Sequence, residues 1–442
     1  MKKRTPEELG TAPISSLLLS YALPAIIAMM ASSLYNIIDR VFIGQGVGPL
    51  AISGLALTFP IMNLSTAFGA LIGAGGSTLV SIKMGQEDIW GAKQVLGNVI
   101  ILNVILGTIF MIVGLAFIDE ILFLFGASND TLPYARDFMQ IILLGNVFTH
   151  LYFGLNSVMR SSGYPQKAMY ATIFTVLINL ILAPIFIFVL EWGIRGAALA
   201  TVIAQLCSLI WILFHFSQKI YFIHFEKGIF KLKKNIIRGI FSIGMSPFVM
   251  NTCACLVVIF INHSLKSYGG DLAIGAYGIV NSILMLFAML VLGFSQGMQP
   301  IAGFNYGAQK YDRVMSVFKR TMAYSTIVTF CASFCAIAFP QTITSFFTTD
   351  SHLIEIAKQG MQISFSMFAF VSIPMVAGNF FQSIGKAKIS IFLSASRQLL
   401  FLIPLMLILP QFFGLMGVWL SLPLSDLFAI LLALFYIKTL KF

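Results

Sequence analysis

The stretch from Leu34 to Gly44 reads Leu-Tyr-Asn-Ile-Ile-Asp-Arg-Val-Phe-Ile-Gly, and it ends a long apolar run that starts near Ile14. Asp39 is the only formal charge of that run up to its own position. If the run crosses a bilayer, an ionised carboxylate in its outer third costs several kcal/mol unless something compensates it. The chemistry open to such a group is exchange of a proton or a cation. Arg397 and Asp426 are also deep in apolar segments. At about 1.5 Å per residue they lie roughly 14 and 16 Å from the same side, a depth at which they can meet as an ion pair on adjacent helices. A structural pair is one reading, and protonation of Asp426 is the other. Of the five scattered histidines, His150 inside the fourth apolar run is the one of interest, and it reads as a hydrogen-bonded core or cavity residue.

These groups need membrane-spanning elements to position them. Hydrophobic residues make up 58% of the 442 and charged residues only 10%, against about 25% in soluble proteins. Apolar runs long enough to cross a bilayer as helices fall at 14–43, 49–82, 94–118, 134–158, 168–190, 196–217, 239–265, 272–303, 315–339, 357–382, 388–409 and 416–437. The expected fold is therefore an all-α polytopic membrane protein of twelve transmembrane helices. The first span is too long for a cleaved signal peptide and is read as retained. The five cysteines all fall within apolar segments and are expected as small buried hydrophobes.

With the N-terminus cytoplasmic, 22 of the 27 basic residues fall on the inner side, among them Lys2, Lys3, Arg4, the cluster from Lys219 to Arg238, and Lys441. That asymmetry orients the chain with both termini cytoplasmic and explains the net charge of +11 without nucleic acid.

A shift of 222 residues aligns the chain with itself. Leu50-Ala51-Ile52 falls on Leu272-Ala273-Ile274, Gly48 on Gly270, Gly75 on Gly297, Gly85 on Gly307 and Gly163 on Gly385. A shift of 221 pairs Gly193 with Gly414, and one of 223 pairs Pro24 with Pro247. Six helices per repeat is even, so the halves cross in the same sense and are expected as two six-helix bundles related by a pseudo-two-fold axis along the membrane normal. The divisions follow: an N-terminal lobe at 1–218, a cytoplasmic connector at 219–238 and a C-terminal lobe at 239–442. Asp39 has no acidic repeat partner, because Asn262 or Ile261 stands there.

Enzyme motifs are absent. There is no phosphate-binding loop, no His-Glu-x-x-His and no paired-aspartate motif, so neither an enzyme nor a cofactor is expected. Tyr35 to Gly44, with Leu50-Ala51-Ile52-Ser53-Gly54, resembles the first-helix signature of the multidrug and toxic compound extrusion (MATE) family. The segments Gly76–Lys93, Asn179–Phe188, Trp192–Thr201, Gln299-Pro300 and Asn305-Tyr306-Gly307-Ala308 resemble the same family, so the likeness covers essentially the whole chain.

The resemblance implies a prokaryotic antiporter, monomeric in the bacterial inner (plasma) membrane, that exports bulky organic cations in exchange for H+ or Na+. Its partners would be those cations and membrane lipid. Carried onto this chain, the coupling site is Asp39, Asn179, the Ala197 carbonyl and Thr201, with Tyr35 nearby, and Pro24 is the proline tied to bending of the first helix. One position departs from the pattern, since the second acidic residue of the fifth helix is Ala183 here. Sodium, a hard cation, favours several oxygen ligands, whereas one desolvated carboxylate suffices for a proton, so the departure favours proton coupling or a weak Na+ site at Asp39, Asn179 and Thr201. The acids that another branch uses on helices 7 and 10 are also missing. A substrate chamber lined by Met29, Phe59, Met62, Met285 and Met289 would accept many shapes, while Gly69, Gly73, Gly75 and Gly76 suit close helix packing. The runner-up is a lipid or lipid-linked oligosaccharide flippase of the same two-lobe architecture, which would call for several deep basic residues where this chain has only Arg397.

Overall fold

The structure, a computed structural model, describes residues 8–440, apart from the side chains at positions 49 and 271. Lys2, Lys3, Arg4 and Lys441, which entered the charge argument, lie outside the described residues. Helix dominates because a chain in hydrocarbon must satisfy its backbone internally. The helices are α1 (Ile14–Gly46), α2 (Pro49–Gly85), α3 (Ile89–Ala116), α4 (Leu132–Leu144 with Asn146–Ser161), α5 (Pro165–Pro184, continued by a π-helical turn Ile185–Val189) and α6 (Gly193–Ser217). After the connector come α7 (Lys234–Gly270), α8 (Leu272–Gly307), α9 (Tyr311–Ala338), α10 (Ser351–Phe365 with Phe368–Ser383), α11 (Ala387–Phe413) and α12 (Leu415–Lys438). Ten of these are long and apolar enough to span singly, and the two bent pairs, α4 and α10, bring the number to twelve.

The repeat is carried by backbone geometry. α4 bends by 56° at Gly145 and α10 by 42° at Ser366–Met367, the same place in the two halves. Positive φ angles pair in the same register: Gly48 (116°) with Gly270 (67°), Glu87 (62°) with Gln309 (57°), Gly163 (100°) with Gly385 (75°) and Gly193 (54°) with Gly414 (55°). At Gly48 and Gly270 the helix pairs α1–α2 and α7–α8 turn with no loop, a conformation that a Cβ would strain.

The chain divides by packing into two compact units whose bounds are not contiguous in sequence. The first takes the segment up to Ala12, Ile27–Phe248 and Gly303–Gln309; the second takes Pro13–Ile26, Val249–Ala302 and Lys310–Phe442. α1 and α7 thus contribute to both units, and each changes unit within three residues after a proline, Pro24 and Pro247. Inside the first unit, Gly75 of α2 lies so close to α7 that an added Cβ would collide with the Ile240 carbonyl oxygen. Its repeat partner Gly297 does the same in the second unit, where a Cβ would stand 2.6 Å from Ala22 N. Gly73 and Gly76 likewise face Gly154 and Val99 across tight helix contacts.

The connector is fastened to the first unit. Ile223 and Ile229 are fully buried, and Ile223 joins the core cluster shared by α2 to α6. Asn98 of α3 donates to the Lys231 carbonyl (3.1 Å) and accepts from Lys233 N–H (3.1 Å). Lys93 pairs with Glu226 at 2.6 Å and holds its carboxyl below the usual range. The change of unit comes beyond the connector, inside α7. Two of the cysteines, Cys331 and Cys335, are exposed on α9 instead of buried: an apolar segment facing lipid shows small residues outward as readily as inward.

Candidate cation-coupling site

Asp39 follows Tyr35 by one helical turn on α1, so the two side chains share a face. α5 and α6 bring Asn179, Ala183, Ala197 and Thr201 to the same region of the first unit. The Thr201 hydroxyl donates to the Ala197 carbonyl at 3.1 Å. A hydroxyl has one proton, so the 3.0 Å contact between Tyr35 Oη and Thr201 Oγ1 must use the phenol as donor. Asn179 Nδ2 then donates to Thr201 Oγ1 (3.0 Å) and to Tyr35 Oη (3.4 Å). Three hydrogen bonds tie the three helices together, a fourth lies within α6, and none of them uses Asp39.

Asp39 is 8% exposed, and its Oδ1 has no hydrogen-bond partner among the described residues. Arg40, its neighbour in sequence, is exposed and makes no ion pair with it among the described residues. A buried ionised carboxylate left in this state carries a large desolvation cost. Ala183, one turn beyond Asn179, is fully buried in an apolar cluster with Ile43, Ile187, Ile194 and Ala197. The structure thus gathers Tyr35, Asn179, Ala197 and Thr201 into one bonded group, with Asp39 one turn from Tyr35 and unpartnered. Pro24 lies in the α1 segment that packs in the second unit.

Two further polar groups lie inside the first unit. Ser65 of α2 donates to Asn146 Oδ1 (2.5 Å), and His150 Nε2 stands 3.1 Å from the same hydroxyl. Asn146 Nδ2 donates to the Gly107 carbonyl at 3.3 Å, so the bend of α4 is wrapped in polar contacts. Thr149 of α4 donates to Gln205 of α6, one turn past Thr201. Sequence reasoning passed over Ser65, Asn146 and Gln205. The four-residue spacing of Ala197, Thr201 and Gln205 was the available signal for the last.

In the second unit Arg397 Nε donates to Asp426 Oδ1 at 2.7 Å. Of the chamber candidates, Phe59 and Met285 are about half exposed, and Met29, Met62 and Met289 are partly buried.

Twelve spans with buried charged groups and a repeated helical frame define a polytopic membrane transporter. The MatE family model matches residues 24–185 and 243–408, and the chain belongs to that family; it is a transporter and not an enzyme. The multidrug export protein MepA of Staphylococcus haemolyticus is 28% identical over 424 residues, 96% of this chain and 93% of its own length. MepA of Staphylococcus aureus is 27% identical over 431 residues, covering 97% and 95%. The outward-facing structure of a multidrug resistance MATE family transporter matches with a TM-score of 0.93 over 100% of both chains, at 22% identity, a likeness of fold.

Proposed function

We propose that this protein is a multidrug efflux antiporter of the bacterial cell membrane, exporting organic cations in exchange for protons at Asp39. The observation that carries the reading is a buried carboxylate with an unpartnered oxygen, one turn from a closed Tyr35–Asn179–Thr201 network. Such a group is held at low cost only when neutralised, either by a proton or by a bound cation. The two therefore compete. Open to the outside, Asp39 takes a proton and releases the organic cation. Open to the cytoplasm, it loses the proton and the next cation binds.

Several features favour H+ over Na+. Ala183 offers a methyl where a second carboxylate would complete an oxygen shell. The Ala197 carbonyl already accepts from Thr201, and Asn179 turns its N–H groups toward Tyr35 and Thr201. Exchange of one proton for one monovalent cation is electroneutral. With an uncharged cargo the same proton would draw on about 2.3 kcal/mol per 100 mV, roughly a fifty-fold gradient. Both termini are cytoplasmic in this scheme, on the charge asymmetry of the sequence.

The test is efflux of a fluorescent organic cation from proteoliposomes with proton and sodium gradients imposed separately. Efflux is expected with the proton gradient alone; efflux driven only by sodium would reverse the assignment.

A further inference from the structure

Arg397 is the tenth residue after Ala387 on α11, about 15 Å into the span at ~1.5 Å per residue. A guanidinium stays charged under all physiological conditions, and charged side chains at that depth almost always face a bundle interior or a wet cavity. Arg397 is the second residue of a π-helical stretch, Ser396–Leu402, that interrupts α11. Local π geometry within an α-helix re-aims side chains and recurs at functional positions.

The partners of this side chain are few. Nε donates to Asp426 Oδ1 on α12, and Tyr277 of α8 lies within electrostatic reach of the charge. Of the five N–H donors of a guanidinium, the pair uses one. Nη1 and Nη2, with four donors between them, have no hydrogen-bond partner among the described residues. Arg397's side chain is 35% exposed, while that of Asp426 is 6% exposed.

A pair built only for stability would be expected in the two-pronged form, with both carboxylate oxygens on the fork. Here Asp426 holds the guanidinium by its Nε. The Nη1–Nη2 side, whose parallel N–H bonds match a carboxylate or phosphate, stays free.

We propose that Arg397 is an oxyanion-binding site of the second unit, accepting on its free Nη1–Nη2 edge the carboxylate of acid-bearing organic substrates. Asp426 is the resident counter-ion with which the incoming oxyanion competes. The site extends the substrate range from plain cations to zwitterions, and it stands independently of the Asp39 reading, because ligand binding is measured without any gradient.

Rhodamine 110 carries a free carboxylate, and rhodamine 123 is its methyl ester, so the two isolate the group in question. Their binding to the purified full-length protein in phosphatidylcholine nanodiscs can be followed by fluorescence anisotropy. Arg397→Lys keeps the charge and removes the fork; it is expected to weaken rhodamine 110 about tenfold and to leave rhodamine 123 within about twofold. Asp426→Asn removes the competing carboxylate and is expected to tighten rhodamine 110 severalfold. A purely structural pair would instead weaken both dyes in both variants, and that result overturns the proposal. A measurement on the unmodified protein guards against variants that fail to fold: benzoate should displace rhodamine 110 and spare rhodamine 123, and displacement of neither or both counts against the site. Adding phosphatidylglycerol to the nanodiscs distinguishes the source of the oxyanion. Unchanged rhodamine 110 affinity supports a substrate carboxylate, whereas its loss would give the site to a lipid headgroup.

Discussion

Asp39→Asn removes one charge and almost no volume, so it separates the two roles that a buried carboxylate can have. In the structure Asp39 donates nothing to the Tyr35–Asn179–Thr201 network, and its Oδ1 makes no hydrogen bond among the described residues. The variant should therefore fold with unchanged or higher thermal stability, since an uncompensated buried charge has gone. A bound organic cation loses its counter-charge. At a separation of about 4 Å and an effective dielectric near 20 the interaction is about 4 kcal/mol, and in bulk water about 1 kcal/mol. With Asp39 only 8% exposed, the loss belongs nearer the first figure, up to about three decades in affinity at 1.4 kcal/mol per decade. The assay is binding of a permanently charged fluorescent cation to purified protein across a pH series. The parent should lose affinity as pH falls, because protons compete for Asp39; the variant should bind weakly at every pH. Unaltered affinity with unaltered pH dependence would refute the competition mechanism. A fall in thermal stability of several kcal/mol would make Asp39 a structural residue.

Ala183→Asp places a second carboxylate one turn from Asn179, in a cluster that is now fully apolar. It should destabilise the protein in potassium buffer and regain stability in sodium, read as a sodium-dependent rise in melting temperature; no response to sodium would remove the argument drawn from this position. Asn98→Ala deletes both hydrogen bonds that pin the connector backbone, about 1 kcal/mol each, and limited proteolysis should then cut between residues 218 and 233 faster while global melting moves little. Equal cleavage rates would mean that buried Ile223 and Ile229 and the Lys93–Glu226 pair hold the connector without Asn98.

The spans were legible because the hydrocarbon constraint is written in composition, and the observed helices differ from the apolar runs by a few residues at most ends. The register of the repeat was legible in its glycines, since Gly48 and Gly270 occupy backbone conformations that side chains resist. The bends of α4 and α10 were not. Gly145 marks one; at Ser366–Met367 no glycine or proline stands at the break itself, and Pro374, whose missing N–H loosens the turn around Phe370, is the nearest breaker. Nor could the sequence say that the starts of α1 and α7 pack in opposite units, because a contact such as Gly75 with Ile240 is tertiary. The connector reads in the sequence only as a basic, polar link between the lobes; the buried Ile223 and Ile229 within it fasten it to the first unit. Spacing also put Tyr35 and Asp39 on one face, while the bonds of Asn179 to Tyr35 and Thr201 needed three helices in place.

The two halves share a backbone and differ in charge. Asp39 answers to Asn262 or Ile261, Arg397 answers to Thr175 at the 222-residue shift, and Asp426, in the 221-residue register set by Gly193 and Gly414, answers to Gln205. Neither equivalent carries a charge: Thr175 donates to Ser208 at 2.6 Å and Gln205 accepts from Thr149, so neutral hydrogen bonds stand in the first half where the second has an ion pair. Duplication thus fixed the features that sterics enforce, the positive φ angles and close glycine contacts, and left buried polar positions free to diverge. The divergence has an energetic consequence. Arg397 and Asp426 neutralise each other, so the second unit is stable with its site empty. Asp39 has no such partner, so in the proposed cycle the first unit cannot remain empty and ionised without a large cost. A proton or a cation must occupy it at each turnover, which is the condition for obligatory exchange. On the proposed cycle, coupling belongs to the first unit, and the oxyanion site proposed for the second can supply substrate recognition without uncoupling the transporter.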